Sequence, residues 1–454
     1  MAYEAIVTKI HTHPFPGADK LVLGNVAGYQ VITSKTTEDG QLGVFFPSDG
    51  CLSHEFCYHN SEYRTGKGEN KDPNKSGYFE ENRRVRTLTL RGAKSDGYWV
   101  PMQSLLWTGL SLEELCALKE GHTFTSLNGK LVCEKYYTAA TRRAMQASDK
   151  PKKVNKKEQV EYVGFERHFD TKQLRHYINS IPFDANIIIT EKLHGTSGRT
   201  GHLPCVEPIS KYGWFSTVFI WLALYCESIG LGLPLPTNPT KETWKHVSGT
   251  RRTILEDGKE SSGGFYSGTN FRQAIHNSIA LRKGETIYYE IVGYQQGNKL
   301  IMPEYGLNKK DPSPVEKALR KQFETDSMAF TYGCKIGEYK VYVYRITQTT
   351  ENHSVDLSWE QVKARCKELG LDYVPEYQKL TFTNAESLLK IVEIASRGAS
   401  SLDSSHISEG VCIRVEDAAL PGGMSIFKYK SFQFCDIEGI AKNTDSYVDL
   451  EEVS

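Results

Sequence analysis

The strongest constraint on the fold is a set of short apolar runs, rich in β-branched and aromatic residues, that recur between residues 186 and 430. They are "NIIITEK" (186–192), "TIYYEIVGY" (286–294), "YKVYVYRITQ" (339–348), "EGVCIRVED" (409–417) and "SIFKYKSF" (425–432). Each has the length and composition of a strand and is too short for an independent helix. Between them lie segments of helical period, "SWEQVKARCKELGL" (358–371) and "NAESLLKIVEIAS" (384–396). Upstream, "DTKQLRHYINSI" places Leu174, Tyr177, Ile178 and Ile181 at helical spacing. Strands alternating with helices predict an α+β domain of about 290 residues from residue 161 onward.

The first 130 residues read differently. "EAIVTKIHTH", "KLVLGNVAGYQVITSK", "QLGVFFPSDG" and "RRVRTLTLRGAKSDGYWVP" are short strand-like runs punctuated by Gly, Asp and Pro. That pattern predicts a small barrel or sandwich. Residues 140–160 are polar and basic and read as a linker or exposed helix.

Several runs end on, or contain, groups that a plain strand does not need. The first ends on Glu191 and Lys192, followed by Leu193, His194 and Gly195. A surface lysine before a turn is the plain reading. A lysine nucleophile is the alternative, and it requires desolvation or nearby positive charge to lose its proton. Gly195 permits close backbone approach, and Ser197 and Arg199 add polar groups. Lys428 and Lys430 are two apart on a strand and share one face, where an anion would relieve their repulsion. Glu409 heads its strand, as a turn residue or a hard-oxygen ligand. Glu290 sits inside an apolar strand and needs a partner. Tyr342 and Tyr344 share a face, for core packing or for stacking on a purine.

Composition narrows the classes. Lys+Arg and Asp+Glu both total 55, so a nucleic-acid surface must come from local clustering. No basic-then-apolar leader opens the chain, so a cytoplasmic or nuclear protein is expected. The run Trp214–Cys226 is too short to span a bilayer and reads as a packed helix. Ten cysteines show no C-x-x-C pair, which argues against a zinc site. No phosphate loop, G-x-S-x-G elbow or H-E-x-x-H is present.

The order K-L-H-G, Y-E-I-V-G, V-Y-V-Y-R-I, E-G-V, K-Y-K resembles that of the covalent nucleotidyltransferases: ATP-dependent DNA and RNA ligases and capping enzymes. His194, in "KLHGTS", resembles the RNA ligases, since the others usually carry Asp there. The whole chain looks similar to the Deinococcus-type, or fifth, RNA ligase family. That resemblance implies an OB-like nucleic-acid-binding β-barrel over 1–135, a basic linker over 136–160 and an ATP-grasp-like nucleotidyltransferase domain over 161–454. It implies an ATP-dependent ligase that uses Mg²⁺ or Mn²⁺ and seals 3′-hydroxyl/5′-phosphate nicks with RNA on the hydroxyl side. A monomer acting on RNA-containing duplexes, with no membrane partner, is expected.

Carried over by position, the resemblance makes Lys192 the adenylylated residue, with Lys428 and Lys430 on the phosphates. Glu191, His194, Gly195 and Ser197 would line the nucleotide site. Glu290 would hold the ribose and Tyr344 or Tyr342 would stack on adenine. Glu409 would help place the metal. Arg251 or Arg252, in "SGTRRT", would contact the 5′-phosphate strand, and Arg83, Arg84, Arg86 and Arg91 the duplex. Ser197 departs from the Arg that DNA ligases carry. A GTP-specific capping enzyme is the first alternative, but the 24 residues after Lys430 leave no room for its further domain. A non-catalytic nucleic-acid-binding protein is the second.

Overall fold

The computed structural model describes residues 3–48, 50–91, 93–139, 141–143, 161–162, 164–165, 171–208, 240–251, 254–255, 271–295, 298–310, 312–350, 353–416 and 426–438. The expected helix at Trp214–Cys226 and most of the basic stretch, residues 144–160, lie outside these.

In the N-terminal part, β1 (Ala5–Lys9), β2 (Leu42–Pro47), β3 (Gly97–Pro101) and β4 (Thr123–Phe124) form an antiparallel sheet in the order β4-β1-β2-β3. Both of its faces are covered. Val7, Val44 and Phe46 pack with Leu52 and Phe56, whereas Ile6 and Phe45 pack with Val31 and Trp99. Val31 belongs to a three-stranded meander of His11–Pro14, Leu21–Val26 and Tyr29–Ser34, which covers that second face. Its last two strands are joined by Ala27 (φ 46°) and Gly28 (φ 76°). Two successive positive φ values make the tight turn that suits a hairpin's twist. Among the described residues these ladders remain separate and do not close into a barrel, so the expected OB-like barrel is met only as a β-rich unit.

Two sheets build the remainder. The first contains β5 (Lys172–Gln173), β6 (Asn186–Lys192), β13 (Glu376–Thr381), β14 (Gly410–Glu416) and β15 (Ile426–Lys430), in the order β5-β15-β14-β6-β13. The second contains β7 (Thr196–Pro208), β8 (Thr240–Gly249), β9 (Ile254–Leu255), β10 (Glu285–Gly293), β11 (Tyr339–Thr349) and β12 (Ser354–Asp356), in the order β9-β8-β7-β10-β11-β12. The five recurring runs are β6, β10, β11, β14 and β15, as their composition predicts.

β6 is buried on both faces, which explains its unbroken Ile-Ile-Ile run. Ile187 and Ile189 pack with Val411, Ile413, Phe427 and Tyr429 under α1 (Leu174–Tyr177) and α5 (Ala385–Ala395). Ile188 joins Leu193, Ile287, Tyr289 and Ile291 on the other side. That larger core is closed by α2 (Phe271–Ser278), α3 (Pro314–Phe323), α4 (Trp359–Leu369) and α6 (Phe432–Ile437). The Ile188–Leu193–Ile291 contact region is where the two sheets converge.

Local chemistry sets the helix ends. Ser358 and Gln361 form a capping box on α4, and Gly370 (φ 67°) stops it in the left-handed region. Asn384 caps α5. The helix expected over 170–181 is shorter: α1 gives way to a 3₁₀ turn at Ile178–Ser180. Pro182 follows and disfavours helical backbone in the residue before it, yet Leu174, Ile178 and Ile181 are all buried. No helix among the described residues is long and apolar enough to cross a membrane.

Candidate active site

Strand register assembles three lysines. Lys192 and Lys430 both lie opposite Gly410, from the two sides of β14. Thr190 and Lys428 both lie opposite Cys412 in the same way. Residues in one row, and residues two apart, share a face. Lys192, Lys428 and Lys430 therefore stand on one face across three adjacent strands. The alternate residues Phe427 and Tyr429 pack into the core on the other face, as the sequence implies. Gly410 is the element that sequence reasoning passed over. A Cβ there would lie 2.1 Å from the Tyr429 carbonyl oxygen, so glycine is what lets β15 approach β14 at this row.

Glu409 precedes Gly410 and is fully buried. Its Oε1 accepts from Lys192 Nζ at 2.6 Å and lies 3.7 Å from Lys430 Nζ. His194 Nδ1 lies 3.7 Å from Oε2, near enough to add its field though not to bond. Burial pushes the Glu409 carboxyl upward, but Lys192, His194 and Lys430 together outweigh it and hold the group down at about 2. Lys430 also donates to both oxygens of Glu438, at 3.0 and 2.9 Å.

His194 is held on every side. Its backbone N–H donates to the Tyr332 hydroxyl at 2.6 Å, and its Nε2 shares a hydrogen bond with the Tyr305 hydroxyl at 3.0 Å. Phe330 and Phe434 pack edge-on against the ring. Behind Tyr332, its backbone N–H donates to His406 Nε2 at 3.3 Å, while His406 Nδ1 donates to the Ile407 carbonyl. Asp403 then accepts from the Thr331 hydroxyl and the Gly333 N–H, each at 2.8 Å. Partial burial pushes the Asp403 carboxyl up, but bonds from Ser405, Thr331 and Gly333 prevail and lower it to about 2.

A depressed carboxylate contributes stability above its unfolded pKa and loses it as pH falls through the folded one. Asp403→Asn is therefore expected to cost about 1–2 kcal/mol at pH 7. The difference should close between about pH 4 and pH 2, as urea melts at a series of pH values would show.

The second sheet supplies the other wall. Ser197 lies opposite Glu290, and Glu290 opposite Tyr342. The Ser197 hydroxyl donates to Glu290 Oε2 at 3.3 Å. A bulge in β11 passes Tyr344 over, because Tyr288 pairs with Arg345 and Tyr289 with Val343. Burial, reinforced by the Glu290 charge, pushes the Tyr344 phenol up against the opposing effects of Arg345 and a Ser197 hydrogen bond. Tyr342 is only 5% exposed, and burial pushes it up to about 12. Arg414, buried on β14, reaches across to donate from Nη1 to the Tyr344 carbonyl at 2.7 Å and lies over the Trp359 ring. Sequence reasoning missed Arg414, although a charge within "CIRV" is the signal that marked Glu290.

Other expected site residues fall elsewhere or act differently. Glu191 alternates with Lys192, so its side chain leaves the strand on the opposite side, where Ser401 donates to it from both N–H and hydroxyl. Gly195 serves the protein's own packing: a Cβ would lie 2.3 Å from the Ile291 carbonyl. Arg84 belongs to the expected duplex-contacting set. It is 2% exposed, with its guanidinium over Tyr136, so it does not present its charge to solvent. Arg83 and Arg86 are half-buried, and their charges oppose the upward push of burial on Tyr63 and Tyr78; Arg91 is exposed. Arg251 is half-buried just after β8, and Arg252 lies outside the described residues.

Glu409 Oε2 is buried without a hydrogen-bond partner, which suits a cation ligand. No group of three His, Cys, Asp or Glu among the described residues could hold a metal. A divalent cation here would thus take most of its oxygens from phosphate and water.

Comparisons with known proteins bear on the fold and the family. No curated protein matches the chain significantly. In structure, the chain resembles Naegleria gruberi RNA ligase. A variant of that protein with ATP and Mn aligns with TM-score 0.54 and 15% identity, over 97% of this chain and 99% of that one. A variant with AMP and Mn gives 0.53 and 14%, over 95% and 98%. The complex with pyrophosphate gives 0.52 and 15%, over 95% and 97%. At this identity the likeness shows a shared fold. The RNA ligase family model matches residues 185–430, more than half of the chain and all of Lys192, Glu290, Glu409, Lys428 and Lys430. The protein belongs to the RNA ligase family, enzymes that form phosphodiester bonds.

Proposed function

We propose that the protein is an ATP-dependent RNA ligase that works through a lysyl-AMP intermediate on Lys192. The observation that carries this reading is the row Lys192–Gly410–Lys430 with Glu409 at its head. Glu409 and Glu438 offset part of the charge of these three cations, and the anionic oxygens of a triphosphate would be drawn to the same face. The like charges of Lys428 and Lys430 work against the ammonium that Glu409 pairs with at Lys192, and the attacking amine must lose its proton. Lys192 Nζ attacks the α-phosphorus; the N–P bond forms and the bond to pyrophosphate breaks. The AMP then passes to a 5′-phosphate, and a 3′-hydroxyl displaces it. Lys428 and Lys430 stabilise the charge that builds on the phosphate oxygens.

Glu290 and Ser197 would hold the ribose hydroxyls, and Tyr344 would stack on the purine; the bulge that leaves Tyr344 out of the ladder supports choosing it over Tyr342, which pairs with Glu290. Glu409 would hold Mg²⁺ or Mn²⁺, which neutralises phosphate charge when bound. The Naegleria gruberi protein's complexes with ATP, AMP, Mn and pyrophosphate support this cofactor set. His194 and the β-rich N-terminal unit favour the Deinococcus-type subfamily, with that unit as an OB-like module gripping the duplex. The exposed Arg91 is that unit's candidate phosphate contact, and Arg251 or Arg252, after β8, would contact the 5′-phosphate strand.

The test is a sealing assay on nicked duplexes that differ only in the sugar at each side of the nick, with ATP or GTP. Sealing with ATP when RNA carries the 3′-hydroxyl is expected. Equal sealing of all-DNA nicks would count against the RNA assignment, and activity with GTP alone against the ligase reading.

A further inference from the structure

Arg175, on α1, joins three parts of the molecule. Its Nη1 donates to the Gly28 carbonyl at 2.7 Å, and its Nη2 donates to the Tyr429 hydroxyl at 2.6 Å. The guanidinium is sandwiched between two rings, 4.5 Å from the Tyr29 centroid and 5.0 Å from that of Tyr429. Gly28 and Tyr29 belong to the N-terminal hairpin turn. Tyr429 stands on β15 between Lys428 and Lys430. A guanidinium between two aromatic faces, with its N–H groups fixed at both ends, has little freedom to shift.

The contact is not isolated. Tyr177 on the same helix donates to Glu4 of the N-terminal unit at 2.7 Å and accepts from Lys172 at 2.8 Å. Lys172 and Gln173 form β5, which pairs in parallel with Phe427 and Lys428 of β15. A Cβ on Gly28 would lie 2.8 Å from Leu389 of α5, so the turn itself presses on the helix that covers the sheet. β15 is thus held between β14 on one side and the β5–α1 segment, braced by the N-terminal unit, on the other.

We propose that Arg175 is a positioning residue. It fixes the strand that carries Lys428 and Lys430 against the N-terminal unit, so that the adenylylation of Lys192 depends on that unit even when no nucleic acid is present. This rests on the proposed function and adds a second task to a unit otherwise assigned to gripping the duplex. The lysines must meet the phosphates within a fraction of an ångström, and a displacement of about 1 Å is worth up to about a hundredfold in rate. Ribose and purine contacts lie on the other sheet and do not depend on Arg175.

The experiment compares the full-length protein with Arg175→Ala and Tyr429→Phe. Transfer of label from ATP to protein is measured without RNA, and adenosine binding is measured by calorimetry. Arg175→Ala should slow labelling by between roughly tenfold and a hundredfold and leave adenosine affinity unchanged. Tyr429→Phe, which removes one hydroxyl from the strand, should slow it in the same direction and by less. If Arg175→Ala fails to fold, Tyr429→Phe carries the test. Labelling at the wild-type rate with only sealing impaired would overturn the proposal, as would a parallel loss of adenosine binding. A wild-type protein that takes no label would instead sink the proposed function itself.

Discussion

Lys192→Ala should abolish transfer of AMP from ATP to the protein, at least to the limit of detection. The reason lies in placement. Lys192 ends a strand buried on both faces, with its side chain 16% exposed and its Nζ 2.6 Å from Glu409. Lys428 and Lys430 share its face, but Lys430 is engaged by both oxygens of Glu438, and Lys428 is 2% exposed in the next row. Neither reaches the Lys192 position without breaking the sheet. The fold should survive, since removing Lys192 leaves Glu409 within 3.7 Å of Lys430. The check is labelling with radioactive ATP beside a thermal melt. A full-strength adduct on a folded Lys192→Ala protein would refute the nucleophile assignment.

The second large effect is expected at Glu409. Glu409→Gln keeps the shape but removes the charge that faces Lys192, His194 and Lys430. Breaking a buried ion pair from one side costs about 3–5 kcal/mol. The loss should fall at the lower end here, because Lys430 keeps Glu438 and Lys192 reaches some solvent. Adenylylation should fall by roughly a hundredfold or more, since a group that organises the phosphate site contributes on that order. Both readouts are needed. A destabilised protein that adenylylates at the wild-type rate would make Glu409 a structural counter-charge and nothing more.

The strands were legible because their signal is local. Ile187–Ile189, Tyr288–Val292 and Val341–Ile346 carry side chains that a half-buried or fully buried strand requires. The helices over 358–371 and 384–396 were legible from their period, and the structure adds the Ser358 and Asn384 caps that start them. The site was legible as separate pieces, since each piece puts a charge where an apolar strand does not need one. Their assembly was not, because it depends on register between strands more than two hundred residues apart. Gly410, which makes the Lys192–Lys430 row possible, shows nothing in sequence until its neighbours across the sheet are known.

Tyr332 and Asp403 in loops, and Tyr305 in a two-residue strand, act on His194 directly or in sequence through long-range bonds. No period or motif marks them. The four N-terminal arginines looked alike as a charge cluster. Burial separates them, because Arg84 bridges to Cys51 and lies over Tyr136 while Arg91 stays in solvent.

The most direct measurement is to incubate the protein with α-labelled ATP and a divalent cation, without RNA, and to map the adduct by mass spectrometry of its peptides. The account predicts a single AMP on Lys192, released when pyrophosphate is added back. An adduct on any other residue, or none under conditions where the enzyme seals RNA, would contradict it.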